Sequence, residues 1–235
     1  MGRHLLLAVL SILMLAVPAA AKTVVKAAPR DWSHVVAPTP VGGFVLGNPK
    51  AKVKLVEYGS LTCPHCRRFD QEGVPTLLGK YVKSAQVSWE FRNYVRDAAD
   101  LTAALIARCN GARSFFPLVR ALYKDQPVWF GKAAATPREQ LAKLADLPPQ
   151  QQFLGMAKIT GLDAWAAAHG LPTAKSNQCL ANLGSVDQLV KMTSDATEQH
   201  PDFQGTPTFL INGGLVKDTG TWDQLEPQLK AALGG

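Results

Sequence analysis

Hydrophobic positions in the first part of the chain alternate between strand-like and helix-like spacing. Val53–Tyr58 and Gln86–Val95 are short runs rich in β-branched and aromatic residues, which is typical of buried strands. Between these two runs the pattern predicts a helix that ends at about Lys83. Because Gly73 and Pro75 interrupt its interior, we expect a kink at that point. The predicted order in this region is strand, helix, strand.

The middle of the chain has a helical pattern almost throughout. From Ala98 to about Glu198, apolar residues recur every three or four positions, as on one face of a helix. Prolines and glycines predict breaks in this stretch. The breaks are expected near Gly111, Pro127, Thr136-Pro137, Pro148-Pro149, Gly161 and Gly170-Leu171-Pro172. We therefore expect a cluster of short helices.

Strand character returns near the C-terminal end. Thr208–Ile211 and Leu215–Lys217 flank the tight hairpin turn Asn212–Gly214. Thr221–Gln224 matches a capping box at the start of a last helix, although Pro227 is a second candidate for that start. The complete order is strand, helix, strand, helical block, hairpin and helix. It predicts an α/β fold into which an all-α domain is inserted.

The N-terminal residues have the pattern of a secretory signal peptide. Arg3 gives a basic start, residues 5–17 are largely apolar, and an Ala-rich site favours cleavage after Ala21. An uncleaved membrane anchor is the alternative, but the apolar run is shorter than the ~20 residues that a spanning helix needs. We expect export to a periplasm-like space.

The predicted organisation has five segments. Residues 22–52 are rich in Val, Pro and Gly, and they are expected to form an extended lead-in that ends in a turn at Gly47–Pro49. The segments are a signal peptide at 1–21, the lead-in at 22–52, the first part of the α/β domain at 53–97, the helical insertion at 98–198 and the second part of the α/β domain at 199–235.

Composition and charge exclude few classes of protein. Of the 235 residues, 47% are hydrophobic and 18% are charged, as in an ordinary globular protein. The net charge is +7, but Lys and Arg are scattered, and no basic run is longer than Arg67-Arg68. We interpret the charge as a solvated surface and expect no nucleic-acid binding.

The four cysteines fall into two pairs of different character. Cys63 and Cys66 form a CxxC motif, whose main alternative use is half of a zinc site. No second CxxC or Cys-His pair with zinc-like spacing is present, so we expect no metal. Cys109 and Cys179 remain. In an exported protein they are expected to bond to each other, and two buried free thiols are the alternative.

The sequence Cys63-Pro64-His65-Cys66 carries the chemistry of a redox site. A thiolate attacks disulfides, so a catalytic cysteine needs local stabilisation of negative charge. The turn before the motif puts Cys63 at a helix N-terminus, where free N–H groups and the helix dipole favour the thiolate. Pro64 suits the first helical turn, and His65 adds a donor or a positive charge. Cys66 is then the buried resolving cysteine.

Glu57 is a candidate proton carrier. It lies in the apolar strand that leads to the motif, where burial would raise the pKa of its carboxyl. It could then take or give the proton of Cys66. The alternative is a strand residue whose side chain reaches solvent.

Thr206-Pro207 is a candidate client-docking element. Pro207 directly precedes the strand Thr208–Ile211, and a cis peptide there would bring a backbone edge towards the motif. The Thr206 backbone could pair with an extended client segment, as in strand addition. An ordinary turn proline is the alternative.

Taken together, these residues resemble the DsbA family of thioredoxin-fold oxidases. The resemblance rests on Glu57, the motif at Cys63–Cys66, the helical insertion and Thr206-Pro207, and it covers most of the chain. It implies a thioredoxin-like fold with an all-α insertion domain, a cis Pro207 and Cys63 as the nucleophile. It also implies no cofactor, and recharging by a quinone-linked, DsbB-like membrane partner. Some members carry a second, structural disulfide in the helical domain, which the pair Cys109 and Cys179 resembles.

We therefore expect a monomeric exported oxidase that donates its Cys63–Cys66 disulfide to reduced or unfolded secreted proteins. A disulfide isomerase or reductase with the same site is the first alternative. Such proteins often assemble through an N-terminal extension, and residues 22–52 contain no heptads. A chaperone-like binding module is the second alternative.

Overall fold

The computed structural model describes residues 30–235, so the predicted signal peptide and residues 22–29 lie outside the described residues. Six strands form one sheet in the order β1-β2-β4-β3-β5-β6. The strands β3 and β4 are parallel, and the other neighbouring pairs are antiparallel. The strands are β1 Val36–Pro38, β2 Phe44–Leu46, β3 Val53–Gly59, β4 Val87–Asn93, β5 Thr208–Ile211 and β6 Gly214–Val216.

Residues 30–52 contribute more than the extended segment that the sequence predicts. A 3-10 turn at Trp32–His34 is followed by β1 and β2, and β2 pairs with β4. Phe44 and Leu46 are buried, and the ring of Phe44 stacks on Phe115 of the helical block. A strand of three residues is too short for its alternation to stand out in the sequence.

The helix that follows β3 is interrupted where the sequence predicts a kink. It begins as α1 Pro64–Glu72, breaks at Gly73, continues as α2 Val74–Thr76 and ends in a π-helical segment, Leu77–Val82. A Cβ atom at Gly73 would lie 2.9 Å from Cε3 of Trp222. The glycine therefore allows the last helix to approach α1 closely.

Seven helices lie between β4 and β5, as the helical pattern predicts. They are α3 Ala98–Arg108, α4 Ala112–Ala135, α5 Arg138–Ala145, α6 Pro149–Thr160, α7 Leu162–Ala168, α8 Thr173–Leu180 and α9 Leu183–Gln199. With the sheet, they confirm the α/β fold with an all-α insertion. Among residues 30–235, no helix is both long enough and apolar enough to cross a membrane.

The predicted break at Pro127 is wrong, because α4 continues through Pro117 and Pro127 for 24 residues. An interior proline costs a helix about 3 kcal/mol. The apolar face of α4 supplies more than that, since it buries Phe115, Phe116 and Leu122 in the core. Packing therefore overrides the local preference.

The last helix, α10 Trp222–Leu233, begins at the capping box and not at Pro227. The Thr221 side chain and the Gln224 side chain bond to each other's backbone, as a capping box requires. Pro227 lies inside the helix.

The core lies mainly on the sheet face that also carries Glu57. In the sheet register, Glu57 stands between Phe91 of β4 and Phe209 of β5. The helical block packs on the same core, because Phe115 lies 5.7 Å from Phe91 between ring centroids. The opposite face is covered in part by α9, whose Ala196 packs with Val56 and Tyr58. The insertion is thus built against the central strands.

Cys109 and Cys179 form a disulfide that joins the end of α3 to α8 and closes a loop of 70 residues. Replacing both cysteines with alanine should lower the free energy of unfolding by about 2–4 kcal/mol, because the unfolded chain gains freedom. Urea unfolding of the wild type and of Cys109→Ala/Cys179→Ala measures the difference. Equal unfolding midpoints would show that the bond adds no stability.

Candidate active site

The motif lies at the start of α1, directly after the central strand β3. Cys63 is the N-cap residue, with φ −83° and ψ 122°, and Pro64 occupies the first turn. The turn that connects β3 to Cys63 is closed by a hydrogen bond of 3.1 Å from the Cys63 N–H to the carbonyl of Ser60. The predicted placement of Cys63 at a helix N-terminus is observed.

The surroundings of Cys63 favour its thiolate. A hydrogen bond from the Cys66 thiol is the largest cause that lowers the pKa of Cys63, to about 5, against the opposing effect of burial. The backbone N–H groups of Cys66 and His65 add to the lowering. At neutral pH the Cys63 sulfur is therefore negatively charged.

Cys66 has the opposite character. It is fully buried one turn into α1, and burial raises the pKa of its thiol well above the usual value. The nearby sulfur of Cys63 and the carboxyl of Glu57 raise it further. Both cysteines of the motif are free thiols in the structure. The site therefore holds one thiolate and one protonated thiol, which is the reduced state of a redox pair.

Pro64 and His65 are the exposed residues of the motif. His65 assists Cys63 through its backbone N–H. Its side chain lines a surface groove beside the motif. The sequence predicts an effect of the imidazole on the sulfur, whereas the hydrogen bond in the structure comes from the main chain.

Glu57 is buried beneath the motif, with only 1% of its surface exposed. Its Oε2 accepts a hydrogen bond of 3.1 Å from Nε1 of Trp89. Burial raises the pKa of Glu57 well above the usual value, and the charge of Asp70 raises it further. The alternative of a strand residue that reaches solvent is wrong, because the side chain lies on the core face of β3.

Asp70 connects this buried region with the surface. It lies on α1, is 5% exposed and forms an ion pair of 3.3 Å with Nε of Arg120 on α4. Burial raises the pKa of Asp70 to about 6, although Arg120 opposes the shift. The charge of Asp70 thus acts on the buried carboxyl of Glu57.

The Thr206-Pro207 peptide bond is cis. The carbonyl oxygen of Thr206 lies 3.1 Å from Sγ of Cys63, which can donate to it when protonated. Beside this contact is a groove of about 500 Å³, lined by His65, the Thr206-Pro207 turn, β6 and the start of α10. The structure thus brings the predicted docking element to the motif.

Two aspartates at the start of α3 hold the turn before the motif, and the sequence pattern does not reveal them. The carboxylate of Asp100 accepts hydrogen bonds of 2.6 Å from the Ser60 hydroxyl and 2.8 Å from the Leu61 N–H. Burial raises the pKa of Asp100 to about 7. Asp97, the N-cap of α3, accepts a hydrogen bond of 3.1 Å from the hydroxyl of Thr62.

Two residues of α4 contact the backbone of the same turn, and the sequence pattern does not reveal them either. The hydroxyl of Tyr123 donates to the Ser60 carbonyl over 3.2 Å. Nε2 of Gln126 donates to the carbonyls of Leu61 and Cys63, over 2.7 and 3.0 Å. Each is a polar residue on the apolar face of a helix. Such a position indicates that the side chain has a buried hydrogen-bond partner, but it does not identify that partner.

The disulfide Cys109–Cys179 lies away from the motif. Asp97 and Cys109 cap opposite ends of α3. A helix of 11 residues is about 16 Å long. Within residues 30–235, no cluster of three His, Cys, Asp or Glu side chains is suited to hold a metal ion.

Comparison with known proteins gives consistent matches. A family model described as thioredoxin matches residues 39–231. The solved structure of a protein-disulfide isomerase from Novosphingobium aromaticivorans is 34% identical in sequence and has a TM-score of 0.78. The match covers 81% of this chain and 97% of the Novosphingobium chain. The alpha-DsbA1 structure from Wolbachia pipientis has a TM-score of 0.67 at 22% identity. This match covers 84% of this chain and 93% of the Wolbachia chain. The expected thioredoxin-like fold is confirmed.

Among curated sequences, a Rickettsia prowazekii protein with the name of a protein-disulfide oxidoreductase is 30% identical over 171 residues. The match covers 72% of this chain and 54% of the relative. The chain thus spans about half the length of this relative and of the other Rickettsia proteins that it matches.

The first testable consequence of this geometry is the titration of Cys63. The absorbance of the reduced protein at a thiolate wavelength should show a midpoint near pH 5, and Cys63→Ser should remove it. In the unfolded chain, a cysteine thiol titrates at about pH 8.5. The Cys63 thiolate therefore contributes its full stabilisation to the reduced, folded protein above about pH 8.5, and this contribution is lost as the pH falls to about 5. The excess stability of the reduced over the oxidised protein should therefore shrink as the pH falls. A midpoint above pH 8 would contradict the assignment of Cys63 as the thiolate.

Proposed function

The chain belongs to the thioredoxin family, as a DsbA-like member, and on that premise we propose that it is a thiol–disulfide oxidase. It donates the Cys63–Cys66 disulfide to pairs of thiols in folding client proteins. One observation carries the proposal: the thiolate of Cys63 at the N-cap of α1, beside the buried thiol of Cys66. A stabilised thiolate stabilises the reduced enzyme, and the corresponding disulfide is a strong oxidant.

The first step is attack on the disulfide. A client thiolate attacks Sγ of Cys63, the bond between Cys63 and Cys66 breaks, and a mixed disulfide forms between the client and Cys63. Cys66 leaves as a thiolate. Because burial raises the pKa of Cys66, this thiolate takes up a proton. The buried carboxyl of Glu57, whose pKa burial raises well above its usual value, is the proposed donor.

The second step releases the product. A second client thiolate attacks the client sulfur of the mixed disulfide, and Cys63 leaves as a thiolate. The low pKa of Cys63 makes it a good leaving group. The client loses two electrons and its two thiol protons. One proton replaces the proton that Cys66 took up, the other passes to solvent, and the enzyme ends with Cys63 as the thiolate and Cys66 as the thiol.

The groove beside the motif is the proposed client site. Its wall includes the Thr206 backbone, whose carbonyl lies 3.1 Å from the Cys63 sulfur. An extended client segment that pairs with this backbone would bring its own sulfur to Cys63. His65, exposed at the rim of the groove, would face the same segment.

The proposed setting is an exported compartment in which disulfides persist. It agrees with the signal-like sequence of residues 1–21. The proposed clients are reduced, secreted proteins, and the proposed recharging partner is a quinone-linked membrane protein similar to DsbB. That partner would accept the two electrons from the Cys63–Cys66 dithiol and restore the disulfide.

Disulfide isomerisation is the second candidate function. The Novosphingobium protein whose structure is 34% identical to this chain is named a protein-disulfide isomerase. An isomerase uses the same nucleophile but starts from the reduced form, in which the Cys63 thiolate attacks a wrong client disulfide. The two functions differ in the redox state that is maintained and not in the geometry of the site.

Equilibration of the Cys63–Cys66 pair with glutathione separates these functions. We expect an oxidising equilibrium, rapid oxidation of a reduced two-thiol client and slow reduction of insulin, because the thiolate stabilises the reduced enzyme. A strongly reducing equilibrium with rapid insulin reduction would contradict the oxidase. As a control, Cys66→Ser should accumulate a mixed disulfide when it is given a client that carries a disulfide, because the Cys63 thiolate attacks that bond and no Cys66 thiolate is present to resolve the product. Cys63→Ser should not form this species. Client oxidation that persists in Cys63→Ser would leave only a binding role for the site.

Glu57→Gln tests the proton carrier. Glutamine can still accept the hydrogen bond of Trp89, but it cannot donate a carboxyl proton. We expect client oxidation at pH 7 to slow by about tenfold or more. Because the folded-state pKa of Glu57 is raised, its ionisation opposes folding as the pH rises, so Glu57→Gln should be the more stable protein above about pH 5.

Glu72→Gln is the matched control for this variant. Glu72 lies on the same helix as the motif, but its carboxylate is exposed and pairs with Arg68. Its replacement should leave the rate of client oxidation unchanged. An unchanged rate in Glu57→Gln, or an equal loss in both variants, would remove Glu57 from the mechanism.

A further inference from the structure

Gln126 is a side chain of the helical block that bonds directly to the backbone of the motif. Only 4% of it is exposed, and its Nε2 lies 2.7 Å from the carbonyl of Leu61 and 3.0 Å from the carbonyl of Cys63. Both partners are carbonyl oxygens, which can only accept, so the amide nitrogen must face them. One amide group thus holds the chain on both sides of Thr62.

The two carbonyls control the direction in which the backbone enters α1. The Cys63 carbonyl also accepts the first helical hydrogen bond, from the Arg67 N–H over 3.1 Å. With this carbonyl fixed, Cys63 keeps its N-cap conformation and its sulfur stays beside the free N–H groups of the first turn. Those N–H groups act on the sulfur only while that conformation persists.

The other contacts of the turn do not replace this one. Asp100 accepts from the Ser60 hydroxyl and the Leu61 N–H, and Tyr123 donates to the Ser60 carbonyl. Those bonds anchor the beginning of the turn. The Gln126 amide is the described side-chain contact on the Cys63 carbonyl itself.

We propose that Gln126 is a positioning residue for the redox reaction: by holding the carbonyls of Leu61 and Cys63, it keeps the Cys63 sulfur at the N-terminus of α1 and stabilises its thiolate. The inference rests on the proposed function of Cys63. It adds that the oxidising power of the motif depends on a residue of the inserted helical domain, since 63 residues separate Gln126 from Cys63 along the chain.

The proposal is tested with Gln126→Met in the full reduced chain. Methionine has a similar length and no charge, so it removes the two hydrogen bonds and leaves the ionisable groups near the motif in place. Those groups are His65, Cys66 and Asp70 on α1, Glu57 on β3, Asp97 at the N-cap of α3, Asp100 on α3, and Tyr123 on α4. We expect the titration midpoint of the Cys63 thiolate to rise by about one pH unit. The equilibrium constant for oxidation of glutathione should fall by about threefold to tenfold.

Gln152→Met is the matched control. Nε2 of Gln152 also donates to two backbone carbonyls of the helical block, those of Ala145 and Leu147, over 2.9 and 2.7 Å. Its two bonds hold the loop between α5 and α6 and not the turn at residues 60–63, so the titration midpoint of Cys63 should not move. An equal shift in the two variants would indicate a general loss of structure and would overturn the proposal.

Gln126→Asn keeps the test decisive if the methionine variant does not fold. Asparagine retains a polar amide but withdraws it by one methylene group, so it cannot hold both carbonyls. Its titration midpoint should shift upward as well. A folded Gln126 variant that titrates as the wild type does would overturn the positioning role and leave the proposed oxidase intact. A wild-type midpoint in the usual thiol range would instead overturn the proposed function.

Discussion

The active site depends on hydrogen bonds to the buried backbone of one short turn, residues 60–63. This turn carries the chain from the central strand to the active-site helix through the interior, where an unpaired polar group costs about 1–3 kcal/mol. Residues of two inserted helices, among them Asp100 and Gln126, provide the missing partners. The insertion therefore does more than enlarge the protein, because it completes the hydrogen bonding of the turn that presents the nucleophile.

The same turn explains why two cysteines three positions apart behave so differently. Cys63 caps the helix and has N–H groups directed at its sulfur, whereas Cys66 points into the core towards Glu57. Because their pKa values differ in this way, the Cys63 sulfur carries the negative charge and the Cys66 sulfur carries the proton. The two cysteines therefore have different roles in the exchange reaction. Cys109 and Cys179, by contrast, are bonded to each other between two helices of the insertion.

The sequence predicts the parts of this arrangement that depend on local chemistry. A CxxC after an apolar strand and a turn indicates a thiolate at a helix start, and a Glu in that strand indicates a buried carboxyl. The helical block and the hairpin follow from hydrophobic spacing. Asp100 and Gln126 could not be assigned in this way, because their partners lie 39 and 65 positions away from them in the chain. The predicted helix break at Pro127 is wrong for a related reason. The cost of a proline inside a helix is a local property of the sequence, whereas the packing of α4 that outweighs this cost is tertiary.

The edges of the sheet have a consequence for the proposed handling of unfolded client chains. In the described part of the molecule the sheet ends at β1 and β6, which are three residues long, and β1 includes Pro38, which has no N–H to offer. Short strands and proline make poor templates for further strand pairing. Under the proposed function, aggregation-prone clients would thus find little edge on which to continue the sheet and grow a fibre-like assembly.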